Sequence, residues 1–308
     1  DVRRGDETRG RERGARGRTV ICPMSGAVSG AVSSVMRELS FDTTVIGAGA
    51  AGMAAAIAVT KRGFSCLLVD REDAMGGILL QCVHSGFGLH YFGDELTGPE
   101  FAGRLERASR AAGIPVKLGT TVLSIDQRGG GYSLLLSSAR DGVSRVLSRS
   151  VILAMGSRER NRGNVRIAGD RPAGVFTAGL AQRLINMEGC LPGKSAVIIG
   201  SGDIGLIMAR RLTLSRVRVE AVVELLDSPS GLARNVAQCL DDFSIPLYLS
   251  HATLRISGRD RVREVEVAPM EHGAPVRAKA FTIPCDTVLL SVGLVPENEL
   301  SAKAGVVL

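Results

Sequence analysis

The chain has 308 residues, which at roughly 150 residues per domain suggests about two domains and leaves room for a sizeable core. Hydrophobic residues make up 45% and charged residues 22%, a globular mix that excludes disorder over most of the length; with no Trp, 3 Tyr and 8 Phe, nucleic-acid binding by base stacking is not expected. The net charge of +7 is uneven: residues 1–20 carry seven Arg against four acids, and the remainder reads as solvated surface with mild attraction for phosphorylated ligands.

The basic stretch 1–38 is expected to be a disordered tail. Its run AVSGAVSSVM is too weak for a signal-peptide core, and no apolar run reaches the ~18 residues that span a bilayer. The six cysteines, Cys22, Cys66, Cys82, Cys190, Cys239 and Cys285, form no CxxC and no metal-type cluster, the pattern of reduced thiols in a cytoplasmic protein.

From Phe41 to Asp70, FDTTVIGAGAAGMAAAIAVTKRGFSCLLVD reads as strand, glycine turn, Ala-rich helix and a second strand ending in an acid. Each residue type has a physical job. Gly47 permits the tight turn, Gly49 lets the backbone approach a pyrophosphate, and Gly52 allows close helix–strand packing. The helix N-terminus offers free N–H groups to phosphates, while Asp70 is placed to accept from a ribose hydroxyl pair. Next come GGILLQCVHSGFGLHYFGDELTG and a helix predicted around Pro99 to Ala112, with Asp94, Glu95 and Glu100 at its start. His84 and His90 are expected to cap turns or bind phosphate, and no metal site is expected. Lys117 to Arg149 reads as a small antiparallel excursion containing TTVLSI and YSLLL, and VILAMGS (Val151 to Ser157) as a closing strand and turn. The Arg-rich segment 158–174 reads as a solvated connector.

From Ser195 to Glu224, SAVIIGSGDIGLIMARRLTLSRVRVEAVVE repeats the first unit, with Gly200, Gly202 and Gly205 in the turn and Glu224 ending the second strand. An acid there repels a 2′-phosphate, so NAD rather than NADP is the expected ligand, although Arg216 and Arg218 stand close enough in sequence to weaken that preference. VREVEVAP reads as an edge hairpin strand and VLLSVGL (Val288 to Leu294) as the second closing strand. Two dinucleotides in one chain point to electron transfer, because a nicotinamide and a flavin together can pass a hydride.

The layout from Leu39 to Leu308 resembles the two-dinucleotide-binding-domain flavoproteins of the pyridine nucleotide-disulfide oxidoreductase superfamily. The resemblance implies an α/β fold of two Rossmann-like domains, an NAD domain (175–293) inserted in a C-terminally incomplete FAD domain (39–157, with a return segment at 294–308). It also implies FAD at Gly47, Gly49, Gly52 and Asp70, and NAD at Gly200, Gly202, Gly205 and Glu224. Gly76 and Gly77 match the family's turn beside FAD, and Val122 its backbone contact to the adenine. Ala154, Met155 and Gly156 match the small-residue turn into the NAD domain, and Gly293 the turn on the way back. The redox dithiol is missing: Leu79 and His84 stand where a Cys-x4-Cys pair would, and Cys82 reads as a packed thiol. QCVHSGFGLH instead resembles the disulfide-free members, such as the amine and glycerol-phosphate-type dehydrogenases and the α subunit of sarcosine oxidase.

The implied function is an FAD-dependent oxidoreductase exchanging hydride with NAD(H). The electron partner would be a small-molecule substrate or acceptor, or a second flavoprotein subunit. Two further readings are an electron-transfer subunit of a heteromeric dehydrogenase and a catalytically silent nucleotide-binding module left by truncation. The family completes its FAD domain with a strand, an acid on the ribityl chain and a helix, which the 15 residues after Gly293 are too few to supply. The chain is thus expected to be a fragment, to be completed by a partner, or to bind FAD weakly. Glu224→Arg is expected to move preference toward NADPH, and Gly49→Val to abolish flavin retention.

Overall fold

The structure, a computed structural model, describes residues 37–308, and the basic stretch before them lies outside the described residues. Strand β1 (Arg37–Ile46) leads through a glycine turn into helix α1 (Ala50–Lys61) and back to β2 (Cys66–Val69), parallel to β1. All four β2 residues are buried, as expected for a strand covered on both faces. After a 3-10 turn at Gly77–Gln81 come α2 (Leu89–Phe92) and α3 (Gly98–Ala111). A capping box opens α3: Glu100 accepts the Thr97 amide proton at 2.8 Å, so this acid serves the helix end, and Asp94 pairs with Arg104 at 2.5 Å. Strands β3 (Val116–Lys117), β4 (Thr120–Arg128), β5 (Gly131–Ser138) and β6 (Gly142–Leu153) complete a six-stranded sheet in the order β3-β2-β1-β6-β5-β4.

Here the structure corrects the sequence reading. The antiparallel excursion and the closing strand are one element, because β6 pairs antiparallel with β5 and then continues as the parallel neighbour of β1. This is possible because β1 begins at Arg37, before Phe41, so its first residues find partners at Ser144 and Arg145.

The chain crosses through β7 (Ser157–Glu159), α4 (Arg162–Val165) and β8 (Ala168–Gly169) to β9 (Val175–Thr177) and α5 (Ala178–Asn186). Strand β10 (Ser195–Ile199), α6 (Asp203–Leu214) and β11 (Arg218–Val223) repeat the first unit, followed by α7 (Ala233–Cys239) and β12 (Leu247–Tyr248). Then come β13 (His251–Gly258), β14 (Val262–Glu271), β15 (Ala274–Pro275), β16 (Phe281–Pro284), β17 (Thr287–Leu290), β18 (Leu294–Pro296) and α8 (Glu299–Lys303).

The second sheet is wholly parallel, in the order β12-β11-β10-β17-β9. The alternation of side chains along β10 fixes its two coverings. Ala196 and Ile198 pack with Ala181, Leu206 and Leu212 of α5 and α6, whereas Val197 and Ile199 pack with Val262, Val265 and Val267 of β14. Strand β14 is therefore not an edge strand: it lies between β13 and β16, and its buried valines form the layer under the sheet. Fully burying each such side chain stabilises the fold by about 1.5–3 kcal/mol relative to exposure.

Among the arginines of the connector, which are otherwise exposed, Arg162 departs from the solvated reading. Arg162 is only 8% exposed, and its guanidinium donates to the carbonyls of Ile167 at 3.1 Å, Ala168 at 2.6 Å and Asp170. Its planar fork of donors thus ties together three carbonyls of the Ile167–Asp170 segment. After Gly293, β18 pairs antiparallel with β7, and Leu300 and Ala304 pack on the first sheet, in the cluster that holds Val122 and Ile125.

Candidate nucleotide-binding sites

The first glycine turn is built by steric exclusion. Gly47 has φ +103°, and a Cβ there would collide with the Ala154 carbonyl, while one on Gly52 would collide with the Gly47 carbonyl. Over Gly49, by contrast, nothing lies within 4 Å of where a Cβ would stand. The open side of the turn is thus the side at which the N-terminus of α1 presents its free N–H groups. Asp70 closes the back of the turn: one oxygen accepts the Ala48 amide proton at 2.5 Å and the other that of Glu72 at 2.9 Å. The Gly76 amide donates to the Ala48 carbonyl at 2.9 Å, and a Cβ on Gly77 would stand 3.2 Å from Gly49 Cα, so the doublet flanks the same opening. Val122 sits at a bulge in β4 with its side chain buried beside Ile46 and Val69; two residues earlier, the Thr120 amide donates to the Asp70 carbonyl. Gly156, two residues past Ala154, leaves open space over its Cα.

The second turn repeats the first nearly bond for bond. Gly200 has φ +93° and abuts the Ser291 carbonyl as Gly47 abuts that of Ala154. A Cβ on Gly205 would lie 2.8 Å from the Gly200 carbonyl oxygen, whereas over Gly202 the nearest atom is Ser291 Oγ at 3.5 Å. Ser291 Oγ also accepts the Gly205 amide proton at 3.1 Å. Glu224 stands where Asp70 does, accepting from the amides of Ser201 at 2.9 Å and Leu226 at 3.0 Å. Loop 225–232 returns as the Gly76 segment does, with the Gly231 amide donating to the Ser201 carbonyl at 2.9 Å. Both turns fit the pyrophosphate of a dinucleotide: a helix N-terminus, an open central glycine and a fixed acid at the end of the second strand.

Glu224 is more deeply engaged than Asp70. It is 6% exposed, and Oε2 also accepts the Ser201 hydroxyl at 2.5 Å and the Ser230 hydroxyl at 3.1 Å. Burial acts to raise its pKa, but hydrogen bonds from the Ser201 hydroxyl, the Leu226 and Ser201 amides and the Ser230 hydroxyl outweigh it and hold the carboxyl below the ordinary glutamate value. Ser201, Ser230 and Gly231 carry no signal in the spacing of either motif; superposing the two repeats would have flagged Gly231 as the counterpart of Gly76. Arg216 and Arg218 do not approach Glu224. They flank the start of β11 with Arg218 paired to Glu220, while Glu224 follows its end; the exposed Leu225 and Leu226 follow Glu224 instead.

A buried polar contact joins the 3-10 turn of the first half to α5 of the second. Gln81 donates to the Gly179 carbonyl at 2.9 Å and to Gln182 Oε1 at 3.1 Å, while Asn186 donates to the Gln81 carbonyl at 2.8 Å. Nearby, Arg183 pairs with Glu72 at 3.2 Å and Glu159 accepts the Gly179 amide proton at 2.7 Å. The Cys82 thiol is buried in this contact, which pushes its pKa up, and it lies against the Ile78 carbonyl at 3.3 Å. His84 hydrogen-bonds the Ser85 carbonyl through Nδ1, and its Nε2 is buried without a partner among the described residues; His90 is exposed in α2. Gly293 follows β17 and its carbonyl accepts the Arg160 amide proton at 2.9 Å.

Among solved structures the chain resembles T. acidophilum thioredoxin reductase, with a TM-score of 0.69 at 23% identity over 87% of this chain and 82% of that one. It also resembles the L-proline dehydrogenase of P. horikoshii, with a TM-score of 0.59 at 18% identity over 87% and 45%. Both likenesses concern the fold. Curated relatives include hydrogen cyanide synthase subunit HcnB of Pseudomonas protegens, 28% identical over 87% of this chain and 59% of that protein. An opine oxidase subunit from Agrobacterium tumefaciens is 28% identical over 88% of this chain and 56% of its own length, and the alpha subunit of sarcosine oxidase from Rhizobium meliloti 28% identical over 86% and 25%. The chain therefore spans little more than half the length of the first two and a quarter of the third. The model of the family described as pyridine nucleotide-disulphide oxidoreductase matches residues 41–308, and the chain belongs to that family.

Proposed function

We propose that this chain is an FAD-dependent oxidoreductase that exchanges a hydride between NAD(H) and flavin without a redox disulfide. The observation that carries the reading is the duplicate turn: Gly47, Gly49, Gly52 and Asp70 in one half, Gly200, Gly202, Gly205 and Glu224 in the other, both opening at a helix N-terminus. When bound, flavin and nicotinamide supply the hydride chemistry themselves. The protein binds and orients. Gly49 and Gly202 admit the pyrophosphates to the helix N-termini, and Asp70 and Glu224 hold the two turns in shape. Gln81 and Gln182 fix the two halves against each other, and that contact sets the approach of the two rings. Cys82 takes no part: it is buried as a thiol, and no second cysteine is bonded to it among the described residues.

NAD is favoured over NADP because Glu224 is ionised beside the ribose position and Leu225 and Leu226, rather than cations, follow it. A second reading, supported by relatives whose names mark them as subunits, is that the chain passes electrons to a partner flavoprotein in a larger assembly. The test of the binding claim is stoichiometry. The purified chain is saturated with FAD, dialysed and titrated with NADH. One FAD retained and one NADH bound per chain supports two sites, whereas failure to retain FAD or competition of the two for a single site contradicts them.

A further inference from the structure

We infer that Arg160 is the cation of the second nucleotide site, reaching the phosphate on the nicotinamide side of NAD(H); this rests on the proposed binding of NAD(H) at Gly200, Gly202 and Gly205. The two halves treat their closing turns alike in backbone and oppositely in charge. The Gly156 carbonyl accepts the Glu297 amide proton at 3.1 Å and the Gly293 carbonyl that of Arg160 at 2.9 Å, so each crossing strand caps the other half's turn. An acid thus stands at the first turn and a base at the second.

The base is free to bind. Arg158, two residues before it, pairs with Glu297 at 2.7 Å and Glu299 at 2.6 Å, and Arg162, two residues after it, is spent on backbone carbonyls. The Arg160 side chain is exposed, and its guanidinium makes no ion pair or hydrogen bond among the described residues. It lies along Gly293: a Cβ built there would stand 3.7 Å from Arg160 Cδ and 3.9 Å from Nε. Two residues before Gly293, Ser291 packs on Gly200 and Gly202 and bonds the Gly205 amide. The side chain therefore lies at the exit of β17, on the other side of β10 from β11, whose end leads into Glu224.

The second turn also needs a cation more than the first. Helix α1 has no acid in its first turn, whereas α6 begins with Asp203, whose carboxylate accepts from the Leu232 amide at 2.8 Å and the Asn235 side chain at 2.7 Å. With Glu224, two acids border the turn that would receive a doubly charged pyrophosphate. That opposes the attraction of the helix N-terminus, and an unpaired, exposed guanidinium from the far side restores it.

The test is equilibrium dialysis of NADH and AMP against the full chain and Arg160→Ala, with Arg160→Lys and the exposed turn variant Arg259→Ala as comparisons. Arg160→Ala is expected to weaken NADH about ten- to hundred-fold, as for loss of a charged hydrogen bond, and AMP by less than about two-fold. Arg160→Lys should fall between, Arg259→Ala should match the parent, and the melting temperature should not move. NADH binding within about two-fold of the parent, or equal weakening of NADH and AMP, overturns the assignment of Arg160 while leaving the NAD(H) reading in place. A parent chain that binds no NADH overturns that reading, and the role of Arg160 with it.

Discussion

Glu224 Oε2 accepts both the amide proton of Ser201, at 2.9 Å, and its hydroxyl proton, at 2.5 Å. The acid at the end of β11 thus holds the middle of the second glycine turn from behind. This relationship changes what its substitution should do. Arginine at 224 would bury a guanidinium among hydrogen-bond donors, so Glu224→Arg is expected to unfold the turn rather than hand preference to NADPH. Glu224→Gln is the better probe. It keeps the shape and removes the charge, and should lower stability by about 1.5–3 kcal/mol in urea unfolding near neutral pH, the usual worth of hydrogen bonds to a charged group. A loss within about 0.5 kcal/mol would contradict the role.

The same carboxylate predicts a pH dependence. Its folded pKa is depressed below the ordinary value of 4.5, so its contribution is fully present above that value and is lost as pH falls through the folded pKa. The stability gap between the parent and Glu224→Gln should stay constant from neutral pH down to the unfolded-state value and narrow below it. A gap that widens on acidification would mean that the sign is wrong.

The two kinds of glycine in the first turn should fail differently. A Cβ at Gly49 meets nothing within 4 Å, and its φ of −73° suits any residue, so Gly49→Val should keep the melting temperature while losing bound flavin. Gly47→Ala meets the Ala154 carbonyl at a φ of +103° and should cost at least ~2 kcal/mol of stability. Flavin absorbance and thermal melting on the two variants separate the effects; a folded Gly49→Val that keeps its flavin contradicts the site.

Arg162 provides a purely structural contrast. Arg162→Ala removes the donors to the carbonyls of Ile167, Ala168 and Asp170 and should destabilise the chain by about 3 kcal/mol, with the midpoint of urea unfolding shifted and its slope unchanged. An unshifted midpoint would mean that the carbonyls find water.

Cys82 should be dispensable. Burial pushes its thiol pKa up, so little thiolate forms near neutral pH, and alkylation of the folded chain at this position should be slow. Cys82→Ala is expected to leave NADH-linked flavin reduction within about two-fold of the parent, consistent with a small packing change. A larger loss would reinstate a redox role.

Much of the fold was legible because the repeat is local. Strand, glycine turn, helix, strand and acid fall within one short window, and each half carries them in the same order, so VIGAGAAG and IIGSGDIG could be placed before any tertiary contact was known. What the sequence hid depends on distant pairing. That β6 is continuous follows from β1 starting at Arg37, and that β14 is covered on both sides follows from β16 returning to it. Arg162 looked solvated because its partners are backbone carbonyls, which leave no mark in a side-chain pattern. The site shows the same divide: the glycines were visible, but Ser201, Ser230 and Ser291 act through bonds across the turn that no spacing rule encodes.

The most direct measurement is an anaerobic absorption spectrum of the FAD-saturated chain before and after addition of NADH. Bleaching of the visible flavin band at one NADH per flavin is the expected result, since nicotinamide and flavin held by the two turns need only meet. A chain that binds both nucleotides but keeps its oxidised flavin band through prolonged incubation would contradict hydride exchange.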